Sequence, residues 1–281
     1  MPEYQPSQNN RMQTFAANIP RVSIACSLPA LQEQAARLAK YLGLSLRAGH
    51  EAADLVLHLT ERHLELLCPG NPELTGPVLA EFVAGAAGYR RQHGGKETLL
   101  RAVGIKTGKA MTLLDATGGL GRDAFILACH GGAVQLVERH PVIGVLLADG
   151  LRRALRHPET REAAARITLN IADSRQVLAK LAHEGHQVDV VYLDPMFPER
   201  TKSAKVKKEL QILQMLVGQE GDYGELLEAA LRAAGWRVVV KRPKGAPSLP
   251  GPAPSHSHGG ATTRFDIYLR PNRHRCTGIS P

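Results

Sequence analysis

Five short runs rich in β-branched and aliphatic residues, MTLLDA, AVQLVE, RITLNIA, VDVVYLD and WRVVVKR, follow one another between residues 111 and 242. Helical patterns separate them: DAFILACH, VIGVLLADGLRRALR, SRQVLAKLAHE and YGELLEAALRAAG. A chain that alternates in this way is confined to one architecture, a mostly parallel sheet with helices on both faces. The expected fold class is therefore α/β, Rossmann-like and doubly wound. A sixth run, FDIYLR at 265–270, is expected to add an antiparallel strand at the far side of the sheet.

Upstream the grammar differs. Residues 1 to about 20 are polar and read as a loose tail. RVSIACS at 21–27 suits a short strand, and LQEQAARLAKYLGL at 31–44 carries apolar residues at helical spacing and stops at Gly43. ADLVLHLT and LELLCP read as a hairpin, and VLAEFVAGAAGYRRQ at 78–92 as a helix. Residues 1–95 are expected to form a tail and a small α+β domain, and 96–281 the larger domain. Between the fifth and sixth runs, residues 243–263 are rich in Pro, Gly and Ser, long enough to be a mobile loop or a functional flap.

The 35 Lys and Arg outnumber the 26 Asp and Glu, leaving a formal charge of +9, which favours a polyanionic partner such as RNA or DNA. The four cysteines form no CxxC pair, so neither a zinc site nor a disulfide framework is expected. No apolar run approaches the length of a bilayer span, and the N-terminus lacks a signal-peptide core. A cytoplasmic location is expected.

In an open α/β sheet, ligands bind beyond the carboxyl ends of the strands. The first run leads into Asp115-Ala-Thr-Gly-Gly-Leu-Gly-Arg-Asp123. Gly119 and Gly121 allow a sharp turn and close approach of a ligand before a helix begins. With Ala124 they also satisfy the dinucleotide fingerprint, a weak signal alone. Asp115 precedes the glycines, where an acid would repel a pyrophosphate; with Asp123 it suits a cofactor ending in an ammonium and a sulfonium. S-adenosylmethionine is thus favoured over NAD. The second run ends at Glu138, whose carboxylate can accept both hydroxyls of a ribose. The third ends at Asp173-Ser174: the acid can bond an adenine amine, or either residue can simply cap the next helix.

The fourth run ends in LDPMFP. DPMF resembles the [DN]PP[YF] signature of methyltransferases that act on nitrogens conjugated to a ring. Asp194 and the Pro195 carbonyl would accept the two amine protons and aim the lone pair. Phe197 would stack on a flipped base. DATGGLGRDAF, LVERHPV, VYLDPMFPERTKSAKVKKEL, VVVKRP and RFDIY together resemble the RsmJ family of bacterial 16S ribosomal RNA (guanine-N2)-methyltransferases, over residues 82–268. The resemblance implies a class I methyltransferase fold, S-adenosylmethionine as donor and a guanine of small-subunit rRNA as acceptor. It puts cofactor contacts on Arg122, Asp123, Glu138, Arg139, Ser174 and Asp194. Asp173 stands where the family has a small hydroxyl residue.

Lys202, Lys205, Lys207 and Lys208 follow the turn, and Lys241, Arg242 and Lys244 follow the fifth run. Both clusters lie at the ligand edge and are expected to contact RNA phosphates. The histidines show no metal-ligand spacing, and no metal is expected. The protein is expected to act as a monomer on 16S rRNA or the small ribosomal subunit. Two alternatives remain at this point: a nicotinamide-dependent oxidoreductase and a non-catalytic RNA-binding assembly protein.

Overall fold

Two sheets stand side by side in the computed structural model, which describes residues 20–47, 53–84, 97–106, 109–195, 208–218, 223–260 and 262–270. The smaller sheet comprises β1 (Val22–Cys26), β2 (Ser45–Leu46), β3 (Leu55–Leu59) and β4 (Leu64–Leu67), in the order β2-β1-β3-β4. α1 (Gln32–Leu42) crosses from β1 to β2 and ends at Gly43, which takes φ +64° as the expected glycine stop. β3 and β4 form the expected antiparallel hairpin.

The expected helix at 78–92 is not found over its described part. Residues 78–81 carry no helical turn and 82–84 bend, and Val78 bridges Leu66 through two backbone bonds of 2.8 and 2.9 Å. Val78, Ala80 and Phe82 are buried, an alternation of period two that suits extended chain rather than a helix. Residues 85–92 lie outside the described residues, as does the expected boundary at 95/96.

The larger sheet contains β5 (Met111–Asp115), β6 (Gly132–Glu138), β7 (Ile167–Ile171), β8 (Val188–Leu193), β9 (Ala234–Pro243), β10 (His256–Gly259) and β11 (Thr263–Leu269). Their order is β10-β11-β9-β8-β5-β6-β7. β5 to β9 are parallel; β11 is antiparallel to β9, and β10 to β11. The helices are α2 (Glu97–Val103), α3 (Arg122–Cys129), α4 (Pro141–Arg156), α5 (Arg161–Ala165), α6 (Ser174–His183), α7 (Lys208–Val217) and α8 (Tyr223–Ala233). The chain winds from β5 outward through β6 to β7, then returns to the other side of β5 with β8. The winding therefore reverses between β5 and β8, and their carboxyl ends flank the crevice where such sheets bind ligands.

Alternation along each strand divides the core. Leu114, Val191, Leu193, Val238 and Val240 pack with Leu178 of α6 and Leu227 of α8. Leu113, Val190, Tyr192 and Val239 face the other way, onto α3, α4 and the small sheet. Phe82 stacks on Phe125 of α3 with ring centroids 4.5 Å apart. At Gly150 of α4 a Cβ would lie 2.6 Å from the Ala80 carbonyl oxygen, so the extended segment can approach only a glycine there.

A buried acid holds the hairpin to α4. Asp149 accepts from Leu64 N–H at 3.1 Å, from Arg152 at 2.8 Å and from Arg153 at 2.9 Å. Burial alone would raise its pKa, but these donors outweigh it and hold the carboxyl below its ordinary value. Its stabilisation is therefore present above the unfolded-state pKa and lost as pH falls through the folded value. Asp149→Ala removes the acceptor of the Leu64 amide and of Arg153 Nε, whose other nitrogens keep Glu81 and the Ala80 carbonyl. It is expected to destabilise the protein by about 3 kcal/mol, measured as a lower urea midpoint at neutral pH.

Residues 243–263 are not a structureless loop. Buried Asp266 of β11 accepts from Arg264 at 2.8 Å and Ser257 at 2.7 Å, and Arg264 also donates to the Ala246 and Lys244 carbonyls. The Pro-rich segment is thereby folded back on the sheet, with Leu249 buried and β10 paired along β11. Its composition concealed this because its partners, Arg264 and Asp266, come later in the chain. Among the described residues no helix is long and apolar enough to cross a membrane, and no group of three or more His, Cys, Asp or Glu could hold a metal.

Candidate active site

The turn after β5 is built by its glycines and by an acid from the next strand. Gly119 and Gly121 take φ +51° and +72°, in the left-handed region that favours glycine. A Cβ on Gly118 would sit 2.9 Å from the Val137 carbonyl oxygen, against which the turn packs. Glu138, at the end of β6, accepts from Gly119 N–H at 2.7 Å and from His140 N–H at 2.6 Å. Each carboxylate oxygen thus has one backbone donor, which fixes the acid at the end of β6 beside the glycine turn. Glu138→Ala is expected to weaken S-adenosylmethionine by about 1.5–3 kcal/mol in a calorimetric titration, with Glu138→Gln falling between Ala and wild type.

The ends of β5, β8 and β9 and the start of α3 then converge around one ammonium group. Lys241 of β9 places Nζ 2.8 Å from Asp123 Oδ2 and 2.7 Å from Asp194 Oδ2. Tyr192 of β8, fully buried, donates to the same Asp123 oxygen at 2.6 Å. Asp194 N–H donates to Thr117 Oγ1 at 2.6 Å, and Thr117 N–H donates to Asp115 Oδ1 at 3.0 Å. The turns after β5 and β8 are therefore hydrogen-bonded to one another.

The electrostatics follow from burial and crowding. Asp115 is 3% exposed and its pKa is pushed up to about 7, because burial strips its water. The Thr117 amide works against that rise, while Asp123 and Asp194 add to it. Asp194 is also raised by loss of water and by Asp123, with Lys241 opposing. Burial favours a neutral Lys241 amine, but the two carboxylates hold its ammonium well above the ordinary value. Burial, reinforced by Asp123 and Asp194, pushes the Tyr192 phenol far up, so it remains a donor at neutral pH.

The structure brings Asp115, Gly119, Gly121, Asp123, Glu138 and Asp194 to one edge, as expected. Arg122 opens α3 at the same edge but forks onto Glu209 of α7 at 2.6 and 2.8 Å. Arg139 is exposed beyond β6. At the end of β7, Asp173 and not Ser174 is the N-cap: Asp173 accepts from Arg175 N–H at 2.9 Å and pairs with its guanidinium at 2.8 Å. Ser174 is buried and donates to the Ala116 carbonyl, joining α6 to the turn after β5. Pro195 is buried, while Phe197 lies outside the described residues.

The two basic clusters need correction. Lys241 is part of the acid cluster and does not face outward as a phosphate contact. Arg242 is 4% exposed and donates to the Pro247 carbonyl at 2.9 Å, so it too is withdrawn from RNA. Lys244 is exposed. Lys208 is exposed and donates to Thr75 Oγ1 at 3.3 Å. Lys202, Lys205 and Lys207 lie outside the described residues. Tyr192 and Thr117 were not foreseen as site residues. Tyr192 had a signal, since residues two apart on a strand share a face and it stands two before Asp194.

These residues fit S-adenosylmethionine. An acid-lined crevice suits a cationic methionine end, and around Gly119 the nearest atom to an added Cβ is 3.9 Å away, leaving the backbone open to a ligand. Fold and site together define a class I, S-adenosylmethionine-dependent methyltransferase.

Residues 37–270 match the family model described as "Putative SAM-dependent methyltransferase". The ribosomal RNA small subunit methyltransferase J of Thioalkalivibrio sulfidiphilus is 46% identical over 251 residues, 89% of this chain and 98% of the relative. That of Nitrosococcus oceani is 48% identical over 242 residues, 84% of this chain and 93% of the relative. A crystal structure of a SAM-dependent methyltransferase from Neisseria gonorrhoeae aligns with a TM-score of 0.69 at 35% identity, covering 88% of this chain and 95% of that one. The chain belongs to the ribosomal RNA small subunit methyltransferase J family.

Proposed function

We propose that this chain methylates the N2 amine of a guanine in small-subunit (16S) ribosomal RNA. The observation that carries the reading is Asp194. Its side chain is 38% exposed, and it stands at the switch point of the sheet, bonded to Lys241 and adjoining the glycine turn. The relatives' names support an rRNA acceptor. Neither an oxidoreductase nor a non-catalytic assembly protein gains support from fold or relatives.

When bound, S-adenosylmethionine supplies an electrophilic methyl group at its sulfonium. Asp115, Asp123 and Glu138, with the Gly119–Gly121 turn, would hold it, and Asp173, Ser174, Arg122 and Arg139 border the same edge. A guanine amine is a poor nucleophile because its lone pair is delocalised into the ring. Asp194 and the Pro195 carbonyl accept hydrogen bonds from its two N–H groups and hold the nitrogen for attack, a type of positioning that can lower a barrier by about 7–11 kcal/mol. Phe197 gives the base a stacking face. Lys208 and Lys244, with Lys202, Lys205 and Lys207, hold the RNA backbone. The protein works as a cytoplasmic monomer, with residues 1–95 as the smaller unit and 96–281 as the methyltransferase unit.

The test is methyl transfer from labelled cofactor to 16S rRNA and to isolated small subunits, followed by digestion to nucleosides. N2-methylguanosine is the expected product; label in any other nucleoside overturns the reading.

A further inference from the structure

Lys241 has a task beyond charge balance. It extends from β9, the strand beside β8, and its Nζ lies within 2.8 Å of both Asp123 and Asp194. Asp123 is already engaged by the Tyr192 hydroxyl at 2.6 Å on the same oxygen, so it is a fixed anchor. Asp194 has one carboxylate oxygen on Lys241 and its backbone amide on Thr117. The side chains of Lys241, Asp123 and Asp194 are 29%, 22% and 38% exposed, so the bridge opens toward solvent at its Asp194 end.

We propose that Lys241 is a positioning residue for methyl transfer: anchored on Asp123, its ammonium holds the Asp194 carboxylate charged and turned to accept the amine of the incoming base. This rests on the reading of Asp194 as the amine's acceptor. The physical need is plain. A carboxylate crowded by other acids tends to take up a proton, and a protonated Asp194 would present a donor where the amine needs an acceptor. Among the described residues, the titratable and charged groups packed around Asp194 are Asp115 from β5, Asp123 from α3, Tyr192 from β8 and Lys241 from β9. Arg122, which opens α3, is turned onto Glu209. Among the described residues, Lys241 is the cation that touches Asp194.

Lys241→Met keeps the stem and removes the charge, while Lys241→Arg restores a cation. In the full-length protein with rRNA, Lys241→Met should move the acid limb of the kcat–pH profile upward by about 1–3 pH units. The loss should be tenfold or more on the acid side of the profile and recover substantially toward its alkaline end, where Asp194 ionises unaided. Lys241→Arg should shift the limb less. A second readout needs neither cofactor nor RNA: the Asp194 carboxyl carbon, assigned by its absence in Asp194→Asn, should titrate at higher pH in Lys241→Met by NMR. An unshifted limb and unshifted titration overturn the proposal, as does an equal loss of kcat at every pH. Asp194→Ala separates the two ideas. If it is fully active, the acceptor reading fails; if it is inactive while Lys241→Met leaves both titrations unmoved, only the role of Lys241 fails.

Discussion

Asp194→Ala is expected to lower kcat by about 10²–10⁴-fold at saturating cofactor and RNA, while the protein remains folded. The variant removes the acceptor that orients the amine and leaves Lys241 on Asp123 alone. Asp194→Asn keeps an amide oxygen but loses the charge that favours the positive nitrogen developing during transfer. Charge-assisted hydrogen bonds are about twice as strong as neutral ones, so Asn should fall between Ala and wild type. Cofactor affinity must be titrated in each variant, because Asp194 borders the same crevice. Near-wild-type methylation by Asp194→Ala would remove the mechanism and leave the fold untouched.

The second large effect is a pH dependence of cofactor binding. Asp115 in the ligand-free protein has its pKa raised to about 7, from an ordinary value of 3.8. For an acid raised in this way, the folded state holds a proton that the unfolded chain has lost. Asp115 therefore contributes stability at low pH that declines as pH rises from the unfolded value through about 7. A cationic methionine end reverses the preference, since it interacts with the carboxylate and not with the acid. Affinity for S-adenosylmethionine should rise by about tenfold between about pH 6 and 8, with uptake of cofactor releasing a proton. Calorimetry in buffers of different ionisation enthalpy measures that proton directly. Asp115→Asn should flatten the pH dependence; a wild-type affinity that is level across the range would show that Asp115 does not meet the cationic end.

Much of the site could be read from strand ends. Asp115, Glu138, Asp173 and Asp194 each follow an apolar run, and a parallel sheet gathers such ends at one edge whatever its strand order. What depends on strand order could not be read. Nothing local to VVVKRP tells that β9 lies beside β8 and so brings Lys241 to Asp194 and Asp123. The alternation along β9, by contrast, is legible in the sequence. Lys241 and Arg242 are neighbours on a strand and must point to opposite faces. They were never one patch: the first reaches the acids, and the second is buried beneath Pro247. The same period of two was present at Val78, Ala80 and Phe82, masked by the alanines that also suit a helix. Arg175 explains why Asp173 serves as a cap, and its guanidinium contact is a side-chain matter that strand patterns do not encode.

Phe82 stacks on Phe125, and its ring lies against Gly121, where an added Cβ would be 3.1 Å from Cζ. The turn that receives the cofactor is thus wedged from behind by an aromatic ring from the segment that runs beside β4. Anything that tightens the turn must also seat that ring. Cofactor occupancy and protection of the β3–β4 hairpin from proteases are consequently linked quantities, each an assay for the other. A substitution far from the crevice, at Phe82, would act as a handle on ligand affinity without touching the ligand.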